Sequence, residues 1–398
     1  MKLQNIPRYL IGIFILAIVT FQPGCGGGGS SCPVGAACGL SSGGNSGVNT
    51  CGANGQQPAQ VMYSIDPSNP GTILPFAVDA SGNLSLMCDK TLSTAISNPV
   101  ELAVSQNKFL YAFDSTAAKI YAFSIAHGNS GALTPVSGQP FPVADTFQKS
   151  HHIVADPLGR FIFLTNFEGN TIDVFPINPA NGSLAAAASS PFIINEPSHL
   201  AVVPAGNFIY VSDSQTGVID ILSVDAAGQL ARMLSSPFFI PQTNDAAVFA
   251  LAHPNGKFLF TANFKSVSAY TIDPNTAALT FAPGSPSDTF TTLKVQPFMA
   301  ALDSSGQFLY VPDQSGAGLL GYAVDPNTAA LTLVNGSPFS PGEISEVIAN
   351  PAGPQIYLER SGGAINLFNL NATTGALTAA TSQTAAFGGG NLVIANVQ

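Results

Sequence analysis

The chain contains no tryptophan, only 9% of its residues are charged, and its 12 Lys and Arg face 22 Asp and Glu. Two of those cations, Lys2 and Arg8, fall at the extreme N-terminus. The rest cannot form the basic stripe that nucleic acid or an anionic membrane surface requires, which excludes nucleic acid as a partner. No segment carries an i, i+3, i+4, i+7 apolar stripe of helical length, so helical solenoids are excluded. The five cysteines contain no CxxC pair, and no phosphate-cradling loop, HxxxE pair or Ser-His-Asp order appears after residue 60; no metal or cofactor is implied. A formal GxSxG match at Gly39–Gly43 has neither the preceding strand nor the following helix of a nucleophile elbow.

The one long apolar run, Tyr9–Phe21, is too short for a membrane span of about 20 residues and follows the cations of a positive n-region. Residues 1–24 therefore read as an export signal. Cys25 comes next, after Gly24 and before GGGGSS, an arrangement similar to a bacterial lipoprotein cleavage site. The expectation is a protein carried outside the cytoplasm, periplasmic or at the cell surface, that touches the membrane only through a lipid on Cys25. Residues 25–59 offer almost nothing apolar to bury and read as a tether. With Cys25 set aside, an even four cysteines remain (Cys32, Cys38, Cys51, Cys88), which allow three disulfide pairings.

The rest, 60–398, is a repeat. DPNTAAL occurs letter for letter at 273–279 and 325–331, and both copies belong to a longer unit. Its best-marked strand appears seven times, as VMYSID (61–66), FLYAFD (109–114), FIFLTN (161–166), FIYVSD (208–213), FLFTAN (258–263), FLYVPD (308–313) and QIYLER (355–360). Each of the last six follows a short apolar run and a turn. Each copy then continues into an alternating strand, a Gly- or Asn-marked turn, and a strand starting at Leu in the last six (Leu133, Leu184, Leu230, Leu279, Leu331, Leu377). Four strands in under 50 residues cannot bury both faces alone. Radial stacking does so, which gives an all-β protein, a seven-bladed β-propeller of four-stranded antiparallel blades. The first copy lacks its leading strand and the last residues, Leu392–Asn396, match one, so the C-terminal strand is expected to close the ring.

The pattern P-x-x-L-A-V-x-P-x-G-x-F-x-Y-V-x-(D/N) resembles the YVTN-type repeat of the lactonase-like seven-bladed propellers, which include 6-phosphogluconolactonase. The resemblance covers about residues 60–398 and implies hydrolysis of a small-molecule lactone. Members of that family carry Gly-Pro-Arg-His at the start of an inner strand and Asn-Glu after the next Tyr-Val. Here Glu196-Pro197-Ser198-His199 and Tyr210-Val211-Ser212-Asp213 stand in those places. Without the Arg there is no planar donor fork for phosphate or carboxylate, which argues against a phosphorylated lactone and for a neutral, sugar-type one.

Candidate site residues come from the loops that crowd one mouth of the channel. The residues just before the inner strands are, copy by copy, Leu392, Glu101, His152, His199, Phe249, Met299 and Glu346. Two His and two Glu in a chain so poor in charge suggest general base chemistry at a carbonyl, with metal binding as an alternative use of the same groups. The competing reading makes them solvated rim or turn residues. Asp66, Asp114, Asn166, Asp213, Asn263 and Asp313 close the loops after the second strand and read as turn formers, while Arg360 is the cation of that set and a candidate oxyanion partner. The expected catalytic set is His199, His152, Arg360 and Glu346. The alternative function is a monomeric, non-catalytic propeller that binds an envelope protein or glycan through its rim loops.

Overall fold

The computed structural model describes residues 57–398 except 67–70, 95, 98, 144–150, 189, 241–244, 288–298, 314–317, 341, 361–362, 381–384 and 387–390. The expectations for the export signal, the tether and Cys25, Cys32, Cys38 and Cys51 lie outside the described residues. Cys88 is disulfide-bonded. Apart from one 3-10 turn at Cys88–Lys90, the named elements are strands, and they form seven antiparallel sheets.

Each sheet is one blade, and in blades 2–7 its strands run in chain order from the channel outward. The inner strands of blades 2–7 are Pro99–Ser105, His151–Ala155, Pro197–Val202, Ala247–Ala252, Ala301–Leu302 and Ile344–Ala349. Blade 1 takes its inner strand, Val393–Asn396, from the C-terminus, where Tyr63 pairs with Val393 and Gln60 with Asn396. The expected closure is present. In blade 3 the outer strand is Phe192–Ile193, and Leu184 makes only an isolated bridge to Ile177.

Seven clusters of buried apolar residues lie one at each interface between neighbouring blades. The second strand of each blade is buried along nearly its whole length, which explains why it is the best-marked line of the repeat. Its tyrosine has a second use. The hydroxyls of Tyr63, Tyr111, Tyr210, Tyr310 and Tyr357 donate to the carbonyls of Gly131, Gly182, Ala277, Gly375 and Gly82, each in the next blade's turn between third and outer strands. These five bonds are 2.7–2.9 Å long. Blades 3 and 5 carry Phe163 and Phe260 instead. At those two interfaces a different bond crosses: Arg160 Nη2 donates to Gly206 O at 2.6 Å, and His253 Nε2 to Gly306 O at 3.0 Å.

DPNTAAL builds the turn between third and outer strands in blades 5 and 6, and in blade 5 its Ala277 carbonyl receives the Tyr210 hydroxyl. Asp273 Oδ1 accepts from the N–H groups of Asn275 and Thr276, and Asp325 repeats this with Asn327 and Thr328. The next residue must then adopt a left-handed backbone, where Ala277 has φ 56° and Ala329 φ 61° and the other copies use glycine, as at Gly375 (φ 74°).

The tyrosine bonds carry a prediction. Tyr310→Phe keeps the ring, as Phe163 and Phe260 show is sterically acceptable, but strips the buried Gly375 carbonyl of this donor. A loss of about 1–3 kcal/mol in urea denaturation is expected. An unchanged midpoint would show that the bond contributes nothing to holding the blades together.

Candidate active site at the channel end

The inner strand of each blade has one edge with no further strand to pair with, so its outward N–H groups need other acceptors. Residues at the start of these strands supply them across blade boundaries. Asn391 Oδ1 of blade 1 accepts from Leu102 N of blade 2 at 2.7 Å. Glu101 Oε2 of blade 2 accepts from Ile153 N of blade 3 at 2.7 Å. His199 Nδ1 of blade 4 faces Ala250 N of blade 5 at 3.5 Å, and both Glu346 oxygens lie 2.9 Å from Leu392 N of blade 1. The equivalent positions are therefore Asn391, Glu101, His152, His199, Phe249, Met299 and Glu346. In blade 1 this corrects the expected Leu392 to Asn391, because Val393 pairs with Tyr63 as Ala103 pairs with Tyr111.

In blades 2, 4, 5 and 7 the register slips just before this position, by one extra residue at 100, 198, 248 and 345. Such a bulge bends the strand and re-aims the side chain after it. At blade 4 the bulge is tied down by the Ser198 hydroxyl, which donates to Ser212 O at 2.8 Å, while His199 N–H donates to Ser212 Oγ at 3.2 Å.

His152 and His199 converge. Their rings stack with centroids 3.4 Å apart and planes 29° from parallel, and Phe249 continues the stack 3.8 Å from His199. Glu101 adjoins them on blade 2. All three ionisable groups keep part of their surface open yet lie deep among protein atoms, so desolvation governs their acidity. Burial pushes Glu101 up to about 8 against the opposing bond from Ile153 N–H, and pushes His152 down to about 3. His199 is held well below the ordinary imidazole range by burial and by the neighbouring His152.

The other two expected catalytic residues sit on blade 7, three blades round the ring from both blade 3 and blade 4. Glu346 faces Glu359 directly across the strand pair, and the two are 7% and 2% exposed. Burial, aided by the Glu359 charge, holds the Glu346 carboxyl well above its usual range. Arg360 Nε donates to Asn366 Oδ1 of blade 7 at 2.8 Å, and its guanidinium bonds the Ser340 hydroxyl in the link from blade 6. Glu101 completes the arc in their place. It stands one residue nearer its second strand than its equivalents because the turn after Ser105 is one residue shorter than in the other blades. The loop-closing residues act as turn formers: Asp114 Oδ1 accepts from Thr116 and Ala117 N–H, and Asp213 Oδ1 from Gln215 and Thr216 N–H. Among the described residues, no group of three or more His, Cys, Asp or Glu is placed to hold a metal ion.

Seven antiparallel sheets of four or five strands, closed by the C-terminal strand, make the protein a seven-bladed β-propeller. The chain belongs to the family described as lactonase, 7-bladed β-propeller, which it matches over residues 61–394. No curated protein sequence matches it. Solved structures share the fold at low identity. A candidate 6-phosphogluconolactonase from Bacteroides fragilis is 19% identical with a TM-score of 0.68, over 86% of this chain and 99% of that one. A periplasmic gluconolactonase from Pseudomonas aeruginosa is 16% identical with a TM-score of 0.66, over 85% and 99%. A virginiamycin B lyase from Staphylococcus aureus, 14% identical over 80% and 97% with a TM-score of 0.53, has the same architecture and a different chemistry.

Both perturbed acidities oppose folding, in opposite pH windows. Glu101, raised in the folded state, contributes stability that is full below about 4.5 and is lost as pH rises through about 8. His152, lowered in the folded state, loses stability as pH falls from 6.5 towards about 3. Glu101→Gln removes the first loss, so its melting temperature relative to wild type should rise between pH 5 and pH 8.5. An equal difference at both values would mean that Glu101 ionises as it does in water.

Proposed function

We propose that this protein is a lactone hydrolase, acting outside the cytoplasm on a small neutral lactone of the sugar type. The observation that carries the reading is the contiguous arc of Glu101, His152 and His199, three ionisable side chains desolvated together on adjacent blades at the channel end. Perturbed groups gathered in this way are costly to a fold and mark functional sites. Hydrolysis adds water oxygen to the carbonyl carbon, breaks the ring C–O bond and releases a hydroxy acid, and the departing ring oxygen needs a proton. A carboxyl with its pKa raised to about 8 holds one at neutral pH, which suits Glu101 to deliver it, and the carboxylate left behind takes up the proton that the attacking water loses. The two imidazoles stand beside it against the reacting carbonyl.

A neutral substrate is favoured by the same surroundings. The position where the family carries Arg is Ser198, and the mouth cation Arg360 is engaged by Asn366 and Ser340. The Pseudomonas neighbour, a periplasmic gluconolactonase, is consistent with an unphosphorylated sugar lactone. In a panel containing glucono-δ-lactone, its 6-phosphate and simple aliphatic lactones, the neutral sugar lactone should be turned over fastest. His199→Ala should reduce that rate by at least about 10²-fold. A wild type inactive on the whole panel would sink the reading and favour the alternative, a propeller that binds an envelope protein or glycan through its rim. Phe264, 42% exposed on a mouth loop of blade 5, is the observation behind that alternative.

Export and anchoring rest on the N-terminal sequence, Lys2 to Cys25. Cys25→Ser should move the protein from the membrane fraction to the soluble fraction with its melting temperature unchanged. A wild type that is already soluble would remove the lipid anchor.

A further inference from the structure

His199 was expected to act as a base, but its hydrogen bonding points to the opposite role. A backbone N–H can only donate, so the Ala250 N–H 3.5 Å from Nδ1 favours a bare lone pair there, with the single proton of the neutral ring on Nε2. His253 shows the same arrangement at the far end of blade 5. Asn255 N–H donates to its Nδ1 at 3.0 Å, and its Nε2 consequently carries the proton bonded to Gly306 O. Among the described residues, His152 Nδ1 is buried with no partner. An orphan buried N–H is rarer than an unfilled acceptor, which places the His152 proton on Nε2 as well. The stack with Phe249 fixes the planes of both rings. In neither ring does Nε2 bond a described protein group, and both residues keep exposed surface.

We infer that His152 and His199 present paired Nε2–H groups to the channel as fixed hydrogen-bond donors for the carbonyl oxygen of a neutral ester-type ligand. On this view the imidazoles bind the substrate carbonyl and strengthen their hold as its oxygen gains charge in the tetrahedral intermediate. Preorganised donors of this kind are a main source of stabilisation in acyl transfer. They need no protonation change, so a low imidazole acidity serves the role instead of hindering it. Glu101, joined to the N–H after His152, is the neighbouring titratable group, and Thr165 and Ser212 hold the backbone of the two histidines. The identity of the ligand rests on the lactone reading, whereas the state of the rings does not.

The test is imidazole ¹⁵N–¹H correlation NMR on the full chain with ¹⁵N-labelled histidine, from pH 5 to 8. His152 and His199 should show the neutral Nε2–H pattern throughout. The probe is δ-valerolactam, a neutral carbonyl acceptor that resists hydrolysis. It should shift the Nε2–H signals of His152 and His199 and leave that of His253 in place. His152→Phe, which preserves the stack and deletes one donor, should weaken lactam binding by roughly three- to tenfold. An Nδ1–H tautomer at His199, an imidazolium in this pH range, or a lactam that moves neither signal would each overturn the inference. Lactam binding without turnover of any lactone would retain the donor pair and overturn the hydrolase reading alone.

Discussion

Stacking seven sheets around an axis covers both faces of every blade but leaves each innermost strand with one unpaired edge. The N–H groups on that edge are the constraint from which the channel end follows. Water cannot be relied on to satisfy them in a desolvated channel, so a side chain from the preceding blade does. Wherever that side chain is Asn391, Glu101, His199 or Glu346, an ionisable or amide acceptor is drawn deep among protein atoms. Structural need and chemical capacity are therefore the same residues here. The acceptor that ties two blades is also the group whose acidity is displaced.

This dual use accounts for the asymmetry of the ring. Blades 5 and 6 carry Phe249 and Met299 at the same position, which pack and do not accept. The arc from blade 2 to blade 4 is chemically dense, and Phe249 ends it as the last member of the stack. Blade 7 is a separate case, with Glu346 and Glu359 face to face beside the seam that the C-terminal strand closes.

The architecture was legible in the sequence because repetition reports it directly: seven copies of one strand, a missing first strand and an orphan last one. The turn-forming role of Asp114 and Asp213 was legible too, since Asp before a Ser- or Thr-rich loop has a local reason to be there. The site was half legible. His152, His199 and Glu101 stood out as rare ionisable residues at equivalent positions, but Asn391 lay one place from the expected Leu392. Which backbone N–H each acceptor meets depends on the neighbouring blade and leaves no mark in a single strand's composition. Arg360 drew attention as a lone charge, whereas its partners Asn366 and Ser340 could be identified only once blade 7 was folded. The departures from the family pattern gain sense the same way. Ser198 and Ser212 are far apart in sequence but bond one another across the bulge.

The tyrosine bonds and the channel acceptors share a sense of rotation, each side chain reaching from one blade into the next. Tyr63 reaches into blade 2, Tyr357 reaches from blade 7 into blade 1, and the channel acceptors follow the same order. The ring is thus polar, and its two chain ends occupy one joint among seven rather than a distinct boundary. Continuity of the backbone and continuity of the ring are separate properties. A circularly permuted chain, cut between two other blades and spliced across the present seam, would inherit every one of these contacts, with the origin of the circle moved and its handedness intact.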